Sequence, residues 1–442
     1  MTADPLAVYP LGSALSDEGH LLLGGCDARE LAERFGTPAY VVVEDDLRAQ
    51  ARAYREAFDR HAPGAHVSFA SKACPCTAVL RVIESEGLGC DVASRGELAI
   101  ALHAGFAPER IHVHGNAKTE ADLAAAVDAG VRQVVVDGLD EIDRLARVAA
   151  ERGRVQAVAI RVTPDVRGET HDGISTGQAN SKFGFGLDDA RVAIDRIRRE
   201  PSLRLDGLHF HIGSQLLELG VYRRAVAAVA PLMDGLEELN LGGGLGVAYT
   251  ADQVAQLPSV DAYAAEKAAA VRELIGDRVR IADEPGRSIV GRAGVTLYTV
   301  QTVKRNVSTW VGIDGGMADN LRPMLYDAVY EAQVVDRFVA PDGTVVGGAG
   351  RHAGEAADGD VVTANLTGMH CESSDVLVRD ARLASPRAGD VVVTPVTGAY
   401  GYAMSNSYNG VLQAPVVFVG GGAAREVVRR QRIDELWARD ID

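Results

Sequence analysis

From residue 66 to residue 283 the chain repeats one pattern: a short apolar run ends in polar or glycine residues, and an Ala/Leu/Arg/Glu-rich stretch follows. The runs are HVSFA (66–70), LGCDV (88–92), RIHVH (110–114), QVVVD (133–137), VQAVAIRV (155–162), LRLDGLHFH (203–211), LEELNL (236–241) and RVRIAD (278–283). The stretches between them, such as TAVLRVIESEG, RGELAIALHAG and EADLAAAVDAG, carry apolar residues three and four apart, the spacing of an amphipathic helix. Strands that alternate with helices pair in parallel. Eight such units predict an α/β fold, a parallel (β/α)8 barrel.

After about residue 294 the texture changes. VTLYTVQTVK, STWVGID, YEAQVV, DVVTANL, DVLVRD, DVVVTPV and APVVFVG read as strands with few helical stretches among them, so a C-terminal all-β domain is expected, as a barrel or sandwich. AREVVRRQRIDELWARD reads as a terminal helix, and GTVVGGAGRHAGEAADGD (343–360) as a loop between strands.

Composition narrows the function. With 61 Asp+Glu against 45 Lys+Arg the net charge is −16, which argues against nucleic acid or an anionic membrane as a partner. No apolar run reaches the roughly 18 residues of a membrane span. The opening MTADPLAVYPLG lacks the basic stretch and apolar core of a signal peptide. Five cysteines, an odd and sparse set, fit a reducing compartment, so a cytoplasmic location is expected.

Active sites of such barrels form at the carboxyl ends of the strands. After the first strand comes Ser71-Lys72. The second ends near Asp91, the third runs into Gly115-Asn116, and Arg161 lies near the end of the fifth. The sixth delivers His209 and His211, then Gly213-Ser214-Gln215; the seventh runs into GGGLG (242–246) and the eighth into EPGRS (284–288). A lone lysine is usually a solvated charge. Lys72, however, ends an apolar strand in a chain with only five lysines, and that favours function. Lys267 and Lys304 read as surface positions; Lys118 and Lys182 receive no role. His209 and His211 form an HxH pair with no carboxylate or third histidine at suitable spacing. A ring packed on a flat cofactor, or a core histidine, therefore fits better than a metal site, and no metal is expected. Cys74-Pro75-Cys76 has no second cysteine pair and reads as packing. GGGLG alone is a weak signal, but two glycine turns after strands seven and eight occupy the usual phosphate corner of the fold. A lysine for a Schiff base, a phosphate cradle, a stacking imidazole and a carboxylate for a ring nitrogen together describe a site for pyridoxal 5'-phosphate.

Ten ordered motifs carry a resemblance: FASKA (69–73), CDVASRGEL (90–98), HGNAK (114–118), ISTGQANSKFG (174–184), HIGSQ (211–215), GGGLG, EPGRS, DGGMADNLRPMLY (314–326), CESSDVL (371–377) and GAYGYAMSNSYN (398–409). The chain resembles the fold-type III pyridoxal-phosphate decarboxylases, with an alanine racemase-like barrel, and within them the diaminopimelate decarboxylase family. The resemblance implies decarboxylation of meso-2,6-diaminopimelate to L-lysine and carbon dioxide, the last step of lysine biosynthesis. It implies Lys72 as the Schiff-base lysine, His211 stacked on the pyridine ring, Glu284 at the ring nitrogen and Asp91 at the Lys72 end. Ser214, Gly243, Gly244, Gly286, Arg287 and Tyr400 are implied at the phosphate. Arg287, Arg322, Tyr326 and Tyr400 are implied on the substrate side, with Glu372 for its distal ammonium. Cys371 is implied as the proton donor, and Cys371 and Glu372 as reaching the partner's site in a head-to-tail homodimer. The family also places residues 1–38 with the β domain, so the expected domains are a barrel over 39–293 and a β domain of 1–38 and 294–442.

The lysine motif departs from the family at Phe69 and Cys74, where Tyr and Asn are usual, and Met369-His370 stand where many members have a proline just before the cysteine. Other readings are the same fold acting on another amino acid or a carrier-bound substrate, a racemase, or a non-catalytic cofactor-binding homologue. Glu284 argues against the racemase, whose ring nitrogen typically meets an arginine. Lys72 and Cys371 together argue against the silent homologue.

Overall fold

The computed structural model describes residues 4–166, 181–347 and 361–441. Most of ISTGQANSKFG and residues 348–360 of the expected loop lie outside the described residues. The chain divides into two compact units. One comprises Arg48–Gly246 and Leu257–Ile289, the other Met1–Leu47, Val247–Gln256 and Val290–Asp442.

The first unit is the expected barrel. Its strands are β1 (His66–Ala70), β2 (Gly89–Val92), β3 (Ile111–Val113), β4 (Gln133–Val136), β5 (Gln156–Arg161), β6 (Leu203–His209), β7 (Glu238–Asn240) and β8 (Arg280–Asp283). Each pairs in parallel with the next, and β8 closes on β1 with Asp283 opposite Val67. The helices between them follow local rules. Thr119 caps Glu120–Ala129 through a capping box with Asp122, and Gly130 ends that helix in the left-handed region; a cap of this kind stabilises by about 1 kcal/mol. The helix Thr77–Ser85 buries Val79, Leu80, Val82 and Ile83, each contributing roughly 1.5–3 kcal/mol of burial. Cys74 and Cys76 are buried, and burial pushes the Cys74 thiol up, as packing side chains require.

The second unit is all-β in its sheets. Its longest strand, Gly294–Arg305, pairs antiparallel with Thr309–Ile313, Val391–Thr394 and Ala39–Val43. Ala39–Val43 therefore belongs to this sheet, not to the barrel as a boundary at 39 assigns it: its AYVVV run is buried throughout and also pairs with Val416–Gly420. Val247–Gln256 joins the same unit, with the Ala251 amide donating to Glu331 at 2.8 Å. The expected terminal helix is absent. Ala423–Val428 instead forms a hairpin with Val416–Gly420, because Gly421 and Gly422 turn the chain at positive φ before a helix can start, and only a short 3-10 turn, Ile433–Leu436, follows. Among the described residues no helix is long and apolar enough to cross a membrane.

Candidate active site

Strand register gathers one layer of polar side chains at the carboxyl end of the barrel. Asp91 lies opposite His112, Arg161 opposite His209, and His209 opposite Asn240. Glu284 follows β8 and His114 follows β3. The Glu284 carboxylate is buried and accepts from His114 Nε2 at 2.7 Å, Asn240 Nδ2 at 2.6 Å and His209 Nε2 at 3.2 Å. Burial works against its charge, but the charge and hydrogen bond of His114, with His209 beside it, hold its pKa well below the usual carboxylate range. Burial also opposes the charge on His114, yet the carboxylates of Asp91 and Glu284 raise it above its ordinary value. His209 is pushed down to about 3, first by burial, and so donates as a neutral ring.

This corrects the view that the HxH pair has no carboxylate or further histidine near it. The neighbours come from β3 and β8, far away in sequence, and barrel closure brings them together. His112, His114 and Glu284 offer ligand atoms within 4.8 Å of one another, a spacing open to a metal ion. Glu284 Oε1 is already shared by two donors, however, an arrangement that fixes an acceptor and does not open it to a cation.

Lys72 stands in the 3-10 turn Ser71–Ala73 that ends β1, exposed between two buried neighbours. Asp91, at the end of β2, is pushed up to about 6, by burial first, with Glu284 adding to the shift and His114 and Lys72 opposing it. The same burial, with the charges of Lys72 and Arg161, holds His211 neutral. The EPGR turn packs directly on the lysine turn: the Ala70 amide donates to Pro285 O at 2.9 Å, and a Cβ on Gly286 would meet those of Ala70 and Ala73 at 3.1 and 3.2 Å. Arg287 is buried and donates to Ser214 Oγ from Nε at 3.2 Å and Nη2 at 3.1 Å. The Gly243 and Gly244 amides have no acceptor among the described residues. An exposed amine, an ionised buried carboxylate, unengaged glycine amides and a guanidinium–hydroxyl pair suit a ligand that carries an aldehyde, a basic ring nitrogen and a phosphate.

The remaining expected residues lie in the second unit. Arg322 is buried, donates to Tyr249 OH at 2.8 Å and to Tyr330 OH, and stacks 4.9 Å from the Tyr249 ring centroid. Tyr326 ends the same short helix, Arg322–Tyr326, half-buried. Tyr400, also half-buried, holds φ +62°, a strained value for a side chain of that size. Cys371 and Glu372 are exposed on a pinned turn. Asp375 accepts from the Met317 and His370 amides at 2.8 and 3.0 Å, and Tyr408 donates to Glu372 Oε1 at 2.5 Å.

One expectation about lysines changes. Lys304 is exposed as expected, but Lys267 is fully buried and ion-paired with Asp283. Its position four residues after Tyr263 and four before Val271 places it on the buried stripe of the helix Val260–Leu274, a signal present in the sequence. Lys118 is buried too, paired with Glu141 at 2.8 Å. Sequence reasoning also assigned no role to His114, His112 or Asn240. The alternation in RIHVH could have exposed the first two, since His112 and His114 share one strand face.

Known proteins agree with this architecture. Residues 44–291 match the family described as pyridoxal-dependent decarboxylase, pyridoxal binding domain. The chain is 44% identical to diaminopimelate decarboxylase of Actinosynnema pretiosum, over 100% of this chain and 98% of that one. It is 39% identical to the Bacillus subtilis diaminopimelate decarboxylase, over 97% of each. Among solved structures it is similar to diaminopimelate decarboxylase from M. jannaschii in complex with L-lysine, with a TM-score of 0.86, 32% identity and coverage of 97% and 98%. The chain belongs to the diaminopimelate decarboxylase family of pyridoxal-dependent decarboxylases.

Proposed function

We propose that this chain removes one carboxyl group from meso-diaminopimelate to give L-lysine and carbon dioxide, with pyridoxal 5'-phosphate as cofactor. The observation that carries the reading is the buried, ionised Glu284, fixed by three donors at the strand ends beside the Lys72 turn. The cofactor supplies an amine-reactive aldehyde and the electron sink that loss of carbon dioxide requires. Lys72 holds the aldehyde end and recovers it after turnover. Glu284 keeps a proton on the ring nitrogen, and neutral His211 offers a flat face to the ring. Arg287, Ser214, Gly243, Gly244, Gly286 and Tyr400 hold the phosphate. Asp91 steadies the Lys72 end. Arg287, Arg322, Tyr326 and Tyr400 take the distal carboxylate of the substrate, Glu372 its distal ammonium, and Cys371 delivers a proton to the carbon that lost its carboxyl group. Cytoplasmic residence fits the free thiol this role demands. The test is carbon dioxide release from meso-diaminopimelate with added pyridoxal 5'-phosphate, against ornithine, arginine and lysine. Release from one of the others, and none from diaminopimelate, would refute the substrate.

Arg322→Ala should raise KM for diaminopimelate by roughly 10²-fold or more, because a site built around a carboxylate loses its guanidinium. Pyridoxal 5'-phosphate affinity should change little, and an equal loss for both ligands would contradict the substrate role.

We further propose a homodimer in which Cys371 and Glu372 serve the partner's site. Their exposure on a turn held from both sides supports it, since such a turn presents the thiol outward. Cys371→Ala should keep the cofactor and lose most turnover. Mixed with Lys72→Ala, it should regain about a quarter of wild-type activity, because half the dimers then carry one intact site. No recovery after subunit exchange would refute the sharing.

A further inference from the structure

Beneath the glycine turn after β7 lies a polar cluster for which the proposed reaction has no use. Lys267 Nζ donates to Gly242 O at 2.8 Å and Tyr263 OH at 2.5 Å, and pairs with Asp283 Oδ1. Tyr263 OH also donates to Asp283 Oδ1, at 3.1 Å. The ammonium lies 4.2 Å from the ring centroids of both Tyr222 and Tyr263. Tyr222 OH donates to the next carbonyl, Gly243 O, at 3.0 Å. A wholly buried ion pair is costly to desolvate, and a methionine or leucine would fill the same space without that cost. What the ammonium and hydroxyl provide is a grip on two successive carbonyls.

Peptide planarity turns that grip into a direction. In a trans peptide the carbonyl of one residue and the N–H of the next point opposite ways. With the Gly242 and Gly243 carbonyls drawn onto Lys267 and Tyr222, the N–H groups of Gly243 and Gly244 face away from the helices Val260–Leu274 and Gly220–Val229 that carry those side chains, and these are the amides without acceptors among the described residues. The turn accepts this geometry because it has no side chains. A Cβ on Gly243 would come within 2.0 Å of Glu284 O, and one on Gly244, at φ +120°, within 2.9 Å of Tyr222 OH. Unrestrained, so glycine-rich a turn would sample many orientations and lose that freedom on binding. Gly242 O also accepts from the Glu284 amide at 3.3 Å, so the same carbonyl ties the turn to the ring-nitrogen carboxylate.

We propose that Lys267 is a positioning residue which, with Asp283, Tyr222 and Tyr263, presets the Gly242–Gly244 turn for the cofactor's phosphate and so sets the preference for phosphorylated over unphosphorylated pyridoxal. The proposal rests on the cofactor reading above. Its test is titration of the apo-protein with pyridoxal 5'-phosphate and with pyridoxal, followed by absorbance. Three variants are compared: Lys267→Met, the charge-free double variant Lys267→Met/Asp283→Asn, and Tyr222→Phe, which removes one hydroxyl and keeps the packing. Affinity for pyridoxal 5'-phosphate should fall about tenfold or more in the lysine variants and severalfold in Tyr222→Phe, while pyridoxal affinity moves less than about threefold. A folded variant with an unchanged ratio of the two affinities overturns the proposal and leaves the cofactor reading standing. An equal loss for both ligands overturns it too, because a merely structural role would act on both. If the wild-type protein binds neither, the cofactor reading itself falls. Should the lysine variants fail to fold, Tyr222→Phe decides.

Discussion

Replacing Lys72 with alanine is expected to abolish the visible absorption band of the cofactor-loaded protein and to slow carbon dioxide release at least about 10³-fold, roughly 4 kcal/mol of transition-state stabilisation. The other described barrel lysines are engaged elsewhere. Lys118 is buried against Glu141, Lys267 against Asp283, and Lys182 lies over the Phe183 ring. Lys72 makes no hydrogen bond or ion pair among the described residues and stands in the turn directly after β1, so it offers an uncommitted amine at the barrel mouth. Lys72→Arg separates charge from nucleophilicity. A guanidinium keeps the positive charge near Asp91 but does not lose its proton in proteins, so it should fail as completely as alanine. A Lys72→Ala protein that retains the wild-type spectrum would refute the assignment.

Glu284→Gln should lower turnover about 10²- to 10⁴-fold while the protein still takes up cofactor. The amide keeps the shape of the carboxylate. Its oxygen can take the His114 and Asn240 bonds, and His209 can move its proton to Nδ1 and accept from the new NH2. What disappears is the negative charge that the proposed function sets against the ring nitrogen. Linkage gives a second readout. The folded-state pKa of Glu284 is depressed, so its pairing stabilises the fold above the unfolded value of about 4.3 and is lost as pH falls below it toward the folded value. The raised His114 contributes in the opposite sense: its stabilisation is full below about 6.5 and is lost as pH rises through the folded value. The variant should weaken both dependences in melting curves taken across pH. Turnover within about threefold of wild type would show that another group serves the nitrogen.

Periodicity made the barrel legible. Each of the eight runs became a strand, and the half-apolar LEELNL did so because its buried Glu238 and Asn240 find partners in Arg132, Arg280 and Glu284. The terminal helix failed for a local reason: AREVV carries both helical and strand character, and the glycines before it decided for a hairpin. Lys72, Glu284 and the glycine turns are legible as candidates because each follows a strand directly. The surroundings of Glu284 could not. His114 lies 170 residues away from it and Asn240 lies 44 away, and only register brings them to one carboxylate. Lys267 is a surface charge by residue type but a core residue by its place on the apolar stripe of its helix.

The closing pair of β8 with β1 joins the two ends of the barrel sequence, and it sets Glu284 and Lys72 in adjacent turns. Neither turn meets the other in a partly assembled sheet. A ligand that needs both therefore binds only the closed ring and raises its stability by mass action, in proportion to RT ln(1 + [L]/Kd). Contacts so distant along the chain slow folding, because loop-closure entropy is lost before they reward it. On the proposed cofactor reading, specific binding therefore reports that the first and last barrel strands have joined.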